Sequence, residues 1–273
     1  MGIETIIAFI QQSIRLSSTL LLGSTGEIIT EKSGNLNLGT PGIMACGAIS
    51  GIIGAFFYTK SGVAFNPFIS ILLTFICCIL GSLVATLIYC FLTITLKTNQ
   101  NVTGLVLTTF GVGVSDFLIA NTTPIFSKGS KYFTAHLSFA DDLGWFGQIF
   151  LSHGILIYLA IAIALLSSFV LNKTKVGLHL RAVGENPATA DAAGISVSKY
   201  RYAATCIGCG ISGLGGLSFI MDYLNGNWEY CIDAIGWLAI ALVIFTVWKP
   251  NLAIIGSIIF GALYILSTYI KGF

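Results

Sequence analysis

The sequence has little charge for its length. Charged residues make up 9% of the 273 residues and hydrophobic residues 55%, with a mean hydropathy of +0.91. Soluble domains carry about 25% charged residues, so this composition excludes an ordinary soluble enzyme. The net charge of +2 is too small to indicate a nucleic-acid partner.

Motifs for catalysis and metal binding are also missing. The histidines His136, His153 and His179 are far apart and lack the spacing of metal ligands. The sequence contains neither a phosphate-binding G-x-x-x-x-G-K-[ST] loop nor a nucleophile elbow. The cysteine pair Cys206-x-x-Cys209 lies in an apolar run, where small side chains pack between helices. We therefore predict no catalytic residue, metal site or cofactor in this chain.

Long apolar runs predict a membrane protein. A helix needs about 20 apolar residues to cross a bilayer, and lipid forces the backbone to pair within each segment. The alternating pattern of barrel strands is absent. The predicted fold is an all-α polytopic helical bundle, one transmembrane domain over residues 1–273, with about eight spans. These cover residues 4–29, 41–58, 67–96, 102–120, 148–171, 200–221, 232–248 and 252–270.

The distribution of Lys and Arg predicts the orientation, because basic residues favour cytoplasmic loops. The basic residues predicted to lie inside are Lys32, Lys97, Lys173, Lys175, Arg181, Lys199, Arg201 and Lys249. Those predicted outside are Lys60, Lys128, Lys131 and Lys271, together with the acidic Asp141, Asp142, Asp222, Glu229 and Asp233. With an even number of spans, both termini lie outside.

Residues 30–42, TEKSGNLNLGTPG, interrupt the helical pattern. Gly34, Gly39, Pro41 and Gly42 do not fit one regular helix without cost. The second span is therefore predicted to be broken, and Gly/Pro-interrupted segments at membrane depth are pointers to a substrate path. An ordinary turn between the first two spans stays open as the alternative.

Small residues recur at the spacing of helix-packing faces. Gly47 and Gly51 share one face of the second span, and Gly208, Ser212 and Gly216 share one face of the sixth. Such faces let helices approach closely in lipid.

Ionisable residues at membrane depth are predicted to be few. Arg15 falls within the first span, where it either contacts substrate or satisfies a neighbouring helix, and Asp116 falls near the outer end of the fourth. Because no cluster of charges is predicted there, we expect a mostly neutral solute. The aromatic-rich segment 121–147 is predicted to form either an interfacial lid or a solvated loop.

The polar segment 172–199 lies between two apolar runs and carries the sequence GLHLRAVGENPATADAAGI at residues 177–195. This stretch resembles the coupling loop of ABC-importer permeases of the branched-chain amino acid/ribose/nucleoside class. Residues 31–44, EKSGNLNLGTPGIM, resemble the E-[KR]-S-G-x-x-N-[IL]-G-x-E-G-M-M segment of the nucleoside/simple-sugar branch, with Pro41 where that branch commonly has Glu. Val247-Trp248-Lys249-Pro250 resembles its K-W-N-P stretch.

The resemblance implies a multi-pass permease of the bacterial inner membrane that binds no ATP itself. It implies two cytoplasmic ABC ATPases that hold ATP and Mg, an extracytoplasmic or lipid-anchored substrate-binding protein, and a second permease subunit, which we expect to be a paralogue. Transport then follows alternating access driven by the ATPases.

The resemblance also indicates where the ATPase docks. Asn186 is a plausible N-cap, Pro187 fits a first helical position, and Gly194 suits a helix stop, which predicts a short helix over residues 188–193. The residues predicted to couple to the ATPase are Arg181, Glu185, Asn186, Pro187, Asp191, Ala192, Ala193 and Gly194.

Candidate path residues are neutral hydrogen-bonding and aromatic side chains. They are Asn35, Asn37, Thr108, Thr109, Phe110 and Trp237. Amides and hydroxyls can bond a polar solute and aromatic rings can stack on a base, so a purine nucleoside is the predicted solute. Riboflavin and a simple sugar stay open as alternatives. An ATP-independent carrier or channel is the rival class.

Overall fold

A computed structural model describes residues 3–61, 65–120, 127–135 and 144–271, and all regular elements in these ranges are helical. The helices are α1 (Ile3–Lys32), α2 (Thr40–Lys60), α3 (Pro67–Cys90), α4 (Gln100–Ile119), α5 (Ser127–Phe133), α6 (Gly144–Phe150), α7 (Ile155–Lys173), α8 (Lys175–Glu185), α9 (Pro187–Ala192), α10 (Val197–Ser218), α11 (Ile232–Phe245) and α12 (Pro250–Lys271). α3 and α10 each continue into one π-helical turn, Phe91–Thr95 and Phe219–Tyr223. The predicted all-α bundle is confirmed.

Seven helices in the described ranges are long and apolar enough to cross a membrane: α1 to α4, α7, α10 and α12. The predicted seventh span differs, because α11 has only 14 residues. It covers about 21 Å, less than the roughly 30 Å of a hydrocarbon core. Val247 and Trp248 adopt positive φ angles of 51° and 52° and turn the chain directly into α12.

Two other predicted boundaries differ from the structure. The fifth span was expected from residue 148, but α6 ends at Phe150 and α7 begins at Ile155, with Gly154 as its N-cap. The helix break is shorter than predicted and lies ahead of the second span, at residues 33–39. α2 itself is continuous, because Pro41 lies in its first turn, where a missing N–H is tolerated.

α10 forms the centre of the bundle. In the most apolar part of α10, 83% of the residues are buried, whereas the corresponding share is 28% in α3 and in α12. It packs on α1, α2 and α3, whereas α3, α4 and α12 present apolar side chains to the outside, including Phe68, Val84, Phe117 and Ile255. These exposed faces suit contact with lipid.

The predicted small-residue faces lie where helices approach closely. A Cβ atom added to Gly47 of α2 would fall 2.7 Å from the Cα atom of Gly213 in α10, and one added to Gly216 would fall 3.1 Å from the Cα atom of Met44. α1 and α10 cross where Gly26 meets Gly208, and a Cβ on either would collide with the other's backbone oxygen.

The two ends of the bundle differ in chemistry. One end carries the last turn of α1, α8, α9 and the turn between α11 and α12; we call it the polar end. The opposite end carries α5, α6 and the segment before α7. The predicted lid or loop lies partly outside the described residues, as do His136, Asp141 and Asp142.

Candidate functional site: the helix break and the polar end

The break between α1 and α2 is a folded junction. α1 ends at Lys32, and Gly34 turns the chain with a φ of +79°, a conformation that L side chains rarely adopt. A Cβ on Gly34 would lie 3.1 Å from the Cα atom of Gly184, so α8 packs directly against the turn. The junction therefore brings the first two spans into contact with the polar segment.

Side chains from four helices hold the backbone of the junction. Three side chains donate to backbone oxygens of the junction: Arg201 Nε to Ser33 O at 3.3 Å, Tyr89 Oη to Leu36 O at 2.6 Å, and Thr108 Oγ1 to Leu38 O at 2.8 Å. Two side chains accept from its N–H groups: Gln100 Oε1 from Leu36 N at 2.9 Å, and Glu27 Oε1 from Asn37 N at 3.0 Å. Non-helical backbone at membrane depth must be satisfied by protein or water. Here protein groups supply the partners.

Asn35 and Asn37, two predicted path residues, are both fully buried. Asn37 Nδ2 donates to Cys209 Sγ at 3.2 Å, and its Oδ1 accepts from Gly39 N at 2.9 Å. Asn35 Nδ2 donates to Thr205 Oγ1 at 3.0 Å, while its Oδ1 has no hydrogen-bond partner among the described residues. In this conformation the amides bond mainly inside the protein.

The other predicted path residues occupy different surroundings. Thr108 joins the junction, and Thr109 bonds the backbone of its own helix at Leu105, 3.2 Å away. Phe110 is 58% exposed and lines an apolar groove of about 550 Å³ between α3 and α4. Trp237 is 36% exposed on α11. The structure thus gathers Asn35, Asn37 and Thr108, and leaves Thr109, Phe110 and Trp237 on helix surfaces.

Sequence reasoning missed two acidic groups at the junction. Glu27 is 1% exposed; its Oε1 accepts from Asn37 N and its Oε2 from Thr40 Oγ1 at 2.5 Å. Glu31 accepts a hydrogen bond from the indole N–H of Trp248, in the turn between α11 and α12. The position of Glu27 inside the first predicted span was the available signal, because a charge at that depth requires partners.

A polar cavity of about 180 Å³ opens beside Glu31 at the polar end. It is lined by Glu31, Lys32, Arg181, Gly184, Glu185 and Trp248. Arg181 Nε has no hydrogen-bond partner among the described residues. The predicted coupling residues Arg181 and Glu185 therefore lie next to the end of α1.

The predicted short helix is α9, Pro187–Ala192, and its capping is as expected. Asn186 Oδ1 accepts from Thr189 N at 3.1 Å, and Pro187 occupies the first position. Gly194 has a φ of +81°, its N–H donates to Asp191 at 2.8 Å, and Ile195 N donates to Ala190 at 3.0 Å, which closes the C-terminus. The predicted range 188–193 is thus shifted by one residue.

The two faces of α9 differ. Ala190 is buried against the protein, whereas Asp191, Ala192, Ala193 and Gly194 are exposed. α8, which precedes α9, begins with the Thr174 side chain accepting from Gly177 N at 3.2 Å. The segment thus presents a small-residue surface on a capped helix.

A second buried polar cluster lies at the opposite end. Asp222, predicted to be an outer loop residue, is fully buried in the π-helical turn after α10, and the charge of Arg15 in α1 acts on it. Gly154 packs beside it, since an added Cβ would lie 3.0 Å from Asp222 Oδ1. Burial lowers the pKa of the neighbouring His153, and the charge of Arg15 lowers this pKa further.

The comparisons with known proteins agree with this arrangement. Residues 9–273 match the model of the family described as branched-chain amino acid transport system / permease component. This chain belongs to that family. The permease is therefore a multi-pass protein of the bacterial inner membrane and the permease component of an ABC transporter.

Several relatives align with nearly the whole permease. TsgC13 of Haloferax volcanii, a permease named for glucose transport, is 31% identical over 92% of this chain and 74% of its own length. The nucleoside ABC transporter permease NupC of Lactococcus lactis is 30% identical over 95% of this chain and 81% of its own. The guanosine ABC transporter permease NupQ of Bacillus subtilis is 28% identical over the same shares.

A solved inward-facing ABC transporter described as of the metal-chelate type covers 94% of the permease and 74% of its own chain, with a TM-score of 0.49 and 14% identity. Among the described residues no group of three or more His, Cys, Asp or Glu could hold a metal ion.

Proposed function

We propose that this permease moves a purine nucleoside as one half of the membrane path of an ABC importer. The observation that carries the solute is that NupC and NupQ, whose names give nucleoside and guanosine, align over 95% of the chain. The hydrogen-bonding groups around the junction and the aromatic rings Phe110 and Trp237 support a polar, uncharged solute with a flat ring system.

A simple sugar is the second candidate. TsgC13, the relative named for glucose, is 31% identical, as similar as the nucleoside permeases. A sugar uses the same amide and hydroxyl groups and needs no stacking partner. The two solutes therefore differ in what they require of the aromatic side chains.

The proposed assembly contains a second permease subunit, two ATPases and a substrate-binding protein. The ATPases bind ATP and Mg and hydrolyse ATP, and the binding protein delivers the solute from outside. A paralogous second permease is our expectation. α9 supports an ATPase contact, because its exposed small residues let a partner surface approach the helix closely.

The mechanism we propose is alternating access. Closure of the ATPases on ATP displaces α9, and α8 transmits the displacement to the junction, because Gly184 of α8 lies against Gly34. The junction connects directly to α3, α4 and α10 through the hydrogen bonds described above. A shift of α9 thereby changes the relative positions of the spans.

Solute identity is tested with the complete transporter in proteoliposomes. We expect uptake of radiolabelled guanosine or inosine that depends on ATP and on the binding protein, with no competition by excess glucose. Uptake of glucose without competition from nucleosides contradicts the nucleoside proposal and supports the sugar alternative.

The role of α9 is tested by adding bulk to its exposed face. Ala192→Trp and Ala193→Trp should abolish solute-stimulated ATP hydrolysis while the permease still inserts. Val84→Trp, on the exposed face of α3, is the control for a bulky surface substitution. Unchanged ATPase stimulation in the α9 variants, at equal amounts of assembled complex, contradicts docking at this helix.

A further inference from the structure

Glu27 and Glu31 lie one turn apart on the same face of α1, where side chains at i and i+4 are neighbours, and their carboxyl groups interact. Their remaining contacts all come from donors: Asn37 N and Thr40 Oγ1 for Glu27, and Trp248 Nε1 for Glu31. Oε1 of Glu31 accepts no hydrogen bond from any described N–H or O–H group, which leaves it for Glu27.

Two ionised carboxylates cannot bond each other, because both groups only accept hydrogen bonds. A bond between them requires one proton, and the pair then carries a single negative charge. Pairs of carboxyl groups that share a site behave in this way, since like charges at such short range do not both ionise.

The surroundings fit one negative charge. The positive charge of Lys32 attracts the carboxyl group of Glu31. Arg181 of α8 lines the same cavity, together with the negatively charged Glu185. Arg201 of α10 holds the oxygen of Ser33 at the start of the junction. Around Glu27 the titratable neighbours are the uncharged Tyr89 of α3 and Cys209 of α10. The cations thus lie towards Glu31, and among the described residues no Lys, Arg or His acts on the more deeply buried Glu27.

We propose that Glu27 and Glu31 bind one shared proton, and that this proton fastens the junction to the polar end. The resulting chain of contacts runs from Trp248 through Glu31 and Glu27 to Asn37 and Thr40. It joins the turn between α11 and α12 to the first residues of α2. Neither the proton nor its fastening role depends on the proposed function.

The proton is measured by infrared spectroscopy on the purified permease, without solute or ATPase. We expect a carboxylic-acid C=O band near neutral pH that shifts in D₂O and is lost in both Glu27→Gln and Glu31→Gln. The double variant should lose no additional band. Glu229→Gln, at an exposed position of the opposite end, is the matched control and should retain the band.

Two results overturn the proposal: a band that survives in both single variants, or two separate bands of which each variant removes one. Thermal unfolding checks the fastening role. Glu31→Gln keeps a donor for Glu27 and should unfold like the wild type, whereas Glu31→Ala should unfold at a lower temperature. Equal unfolding of both variants contradicts that role, whatever solute the transporter carries.

Discussion

α1 takes part in two buried polar regions that are built differently. At the polar end, Glu27 and the junction backbone have partners from α2, α3, α4 and α10. At the opposite end, both carboxylate oxygens of Asp222, Nδ1 of His153 and Nε of Arg15 have none among the described residues. The same helix thus passes, within a few turns, from a region where Glu27 and the junction backbone are hydrogen-bonded to a more sparsely bonded one.

The difference indicates which end is fixed and which can rearrange. A buried polar atom without a partner costs about 1–3 kcal/mol, whereas a completed network is rigid and specific. The junction is therefore expected to keep its internal geometry during transport and to move as a unit. In the Arg15–Asp222–His153 cluster, buried polar atoms without hydrogen-bond partners reduce the stability of this conformation. A conformation that supplies hydrogen-bond partners to these atoms is therefore favoured.

The largest effect is expected where α1 and α10 cross. Gly208→Leu places a side chain against the backbone of Gly26 and should destabilise the fold by about 3 kcal/mol or more, since overpacking typically costs 1–3 kcal/mol and more where backbone must move. The yield of monodisperse protein and its unfolding temperature in detergent report the effect. Gly210→Ala is the control, because an added Cβ there meets only a methyl group of Ile79 at 4.0 Å. Similar losses in both variants would show that the crossing is no special contact.

The comparison itself is tested by removing one carboxyl group at each end. Glu27→Ala leaves the N–H of Asn37 without its acceptor and leaves the hydroxyl of Thr40 only the oxygen of Asn37, and it should cost about 2–4 kcal/mol. Asp222→Asn removes a buried carboxylate whose oxygens have no hydrogen-bond partner among the described residues, although Arg15 acts on its charge, and should cost less than Glu27→Ala. Thermal unfolding of both variants measures the difference. A greater loss for Asp222→Asn would reverse our view of the two ends.

The features predicted from the sequence are those set by neighbouring residues. Asn186, Pro187 and Gly194 define α9 through contacts within nine residues, and the glycine spacing identified the packing faces of α2 and α10. The pattern of Gly and Pro located the break. Hydropathy alone did not reveal that α11 stops after 14 residues, because apolar residues, Val247 and Trp248, continue into the turn.

The buried charges depend on residues distant in the chain, which explains why they were missed. Asp222 lies just beyond the predicted sixth span, and its burial results from α1 and the segment before α7. Glu27 is satisfied by backbone and hydroxyl donors that reach it only because residues 33–39 fold back against α1. A single sequence carries no record of these contacts.

A moderate effect of pH is expected at the opposite end. Because burial lowers the pKa of His153 below its usual value of about 6.5, the unfolded chain binds this proton first as the pH falls. The contribution of neutral His153 to stability is present above about pH 6.5 and is lost progressively below it. In His153→Gln, unfolding temperatures should fall less between pH 7 and pH 5 than in the wild type. An unchanged slope would place this histidine in a more solvated site.

The smallest effect is expected at α9, which lies at the polar end but outside its bonded network. Its N-terminus depends on one side-chain hydrogen bond, from Thr189 N to Asn186 Oδ1, and Ala190 is its buried residue. Asn186→Ala should cost α9 about 1 kcal/mol of local stability, since N-cap replacements cost about 0.5–2 kcal/mol. Amide exchange over residues 188–193 should then quicken by roughly fivefold, with global unfolding unchanged, because few buried contacts depend on this helix.

Two variants serve as controls for the cap. Asn186→Asp restores an acceptor and should recover the protection, and Thr189→Ala removes a hydroxyl that does not cap the helix. Fast exchange in Asn186→Asp as well would show that packing on α8, and not the cap, orders this helix, and α9 would then share the rigidity of the junction.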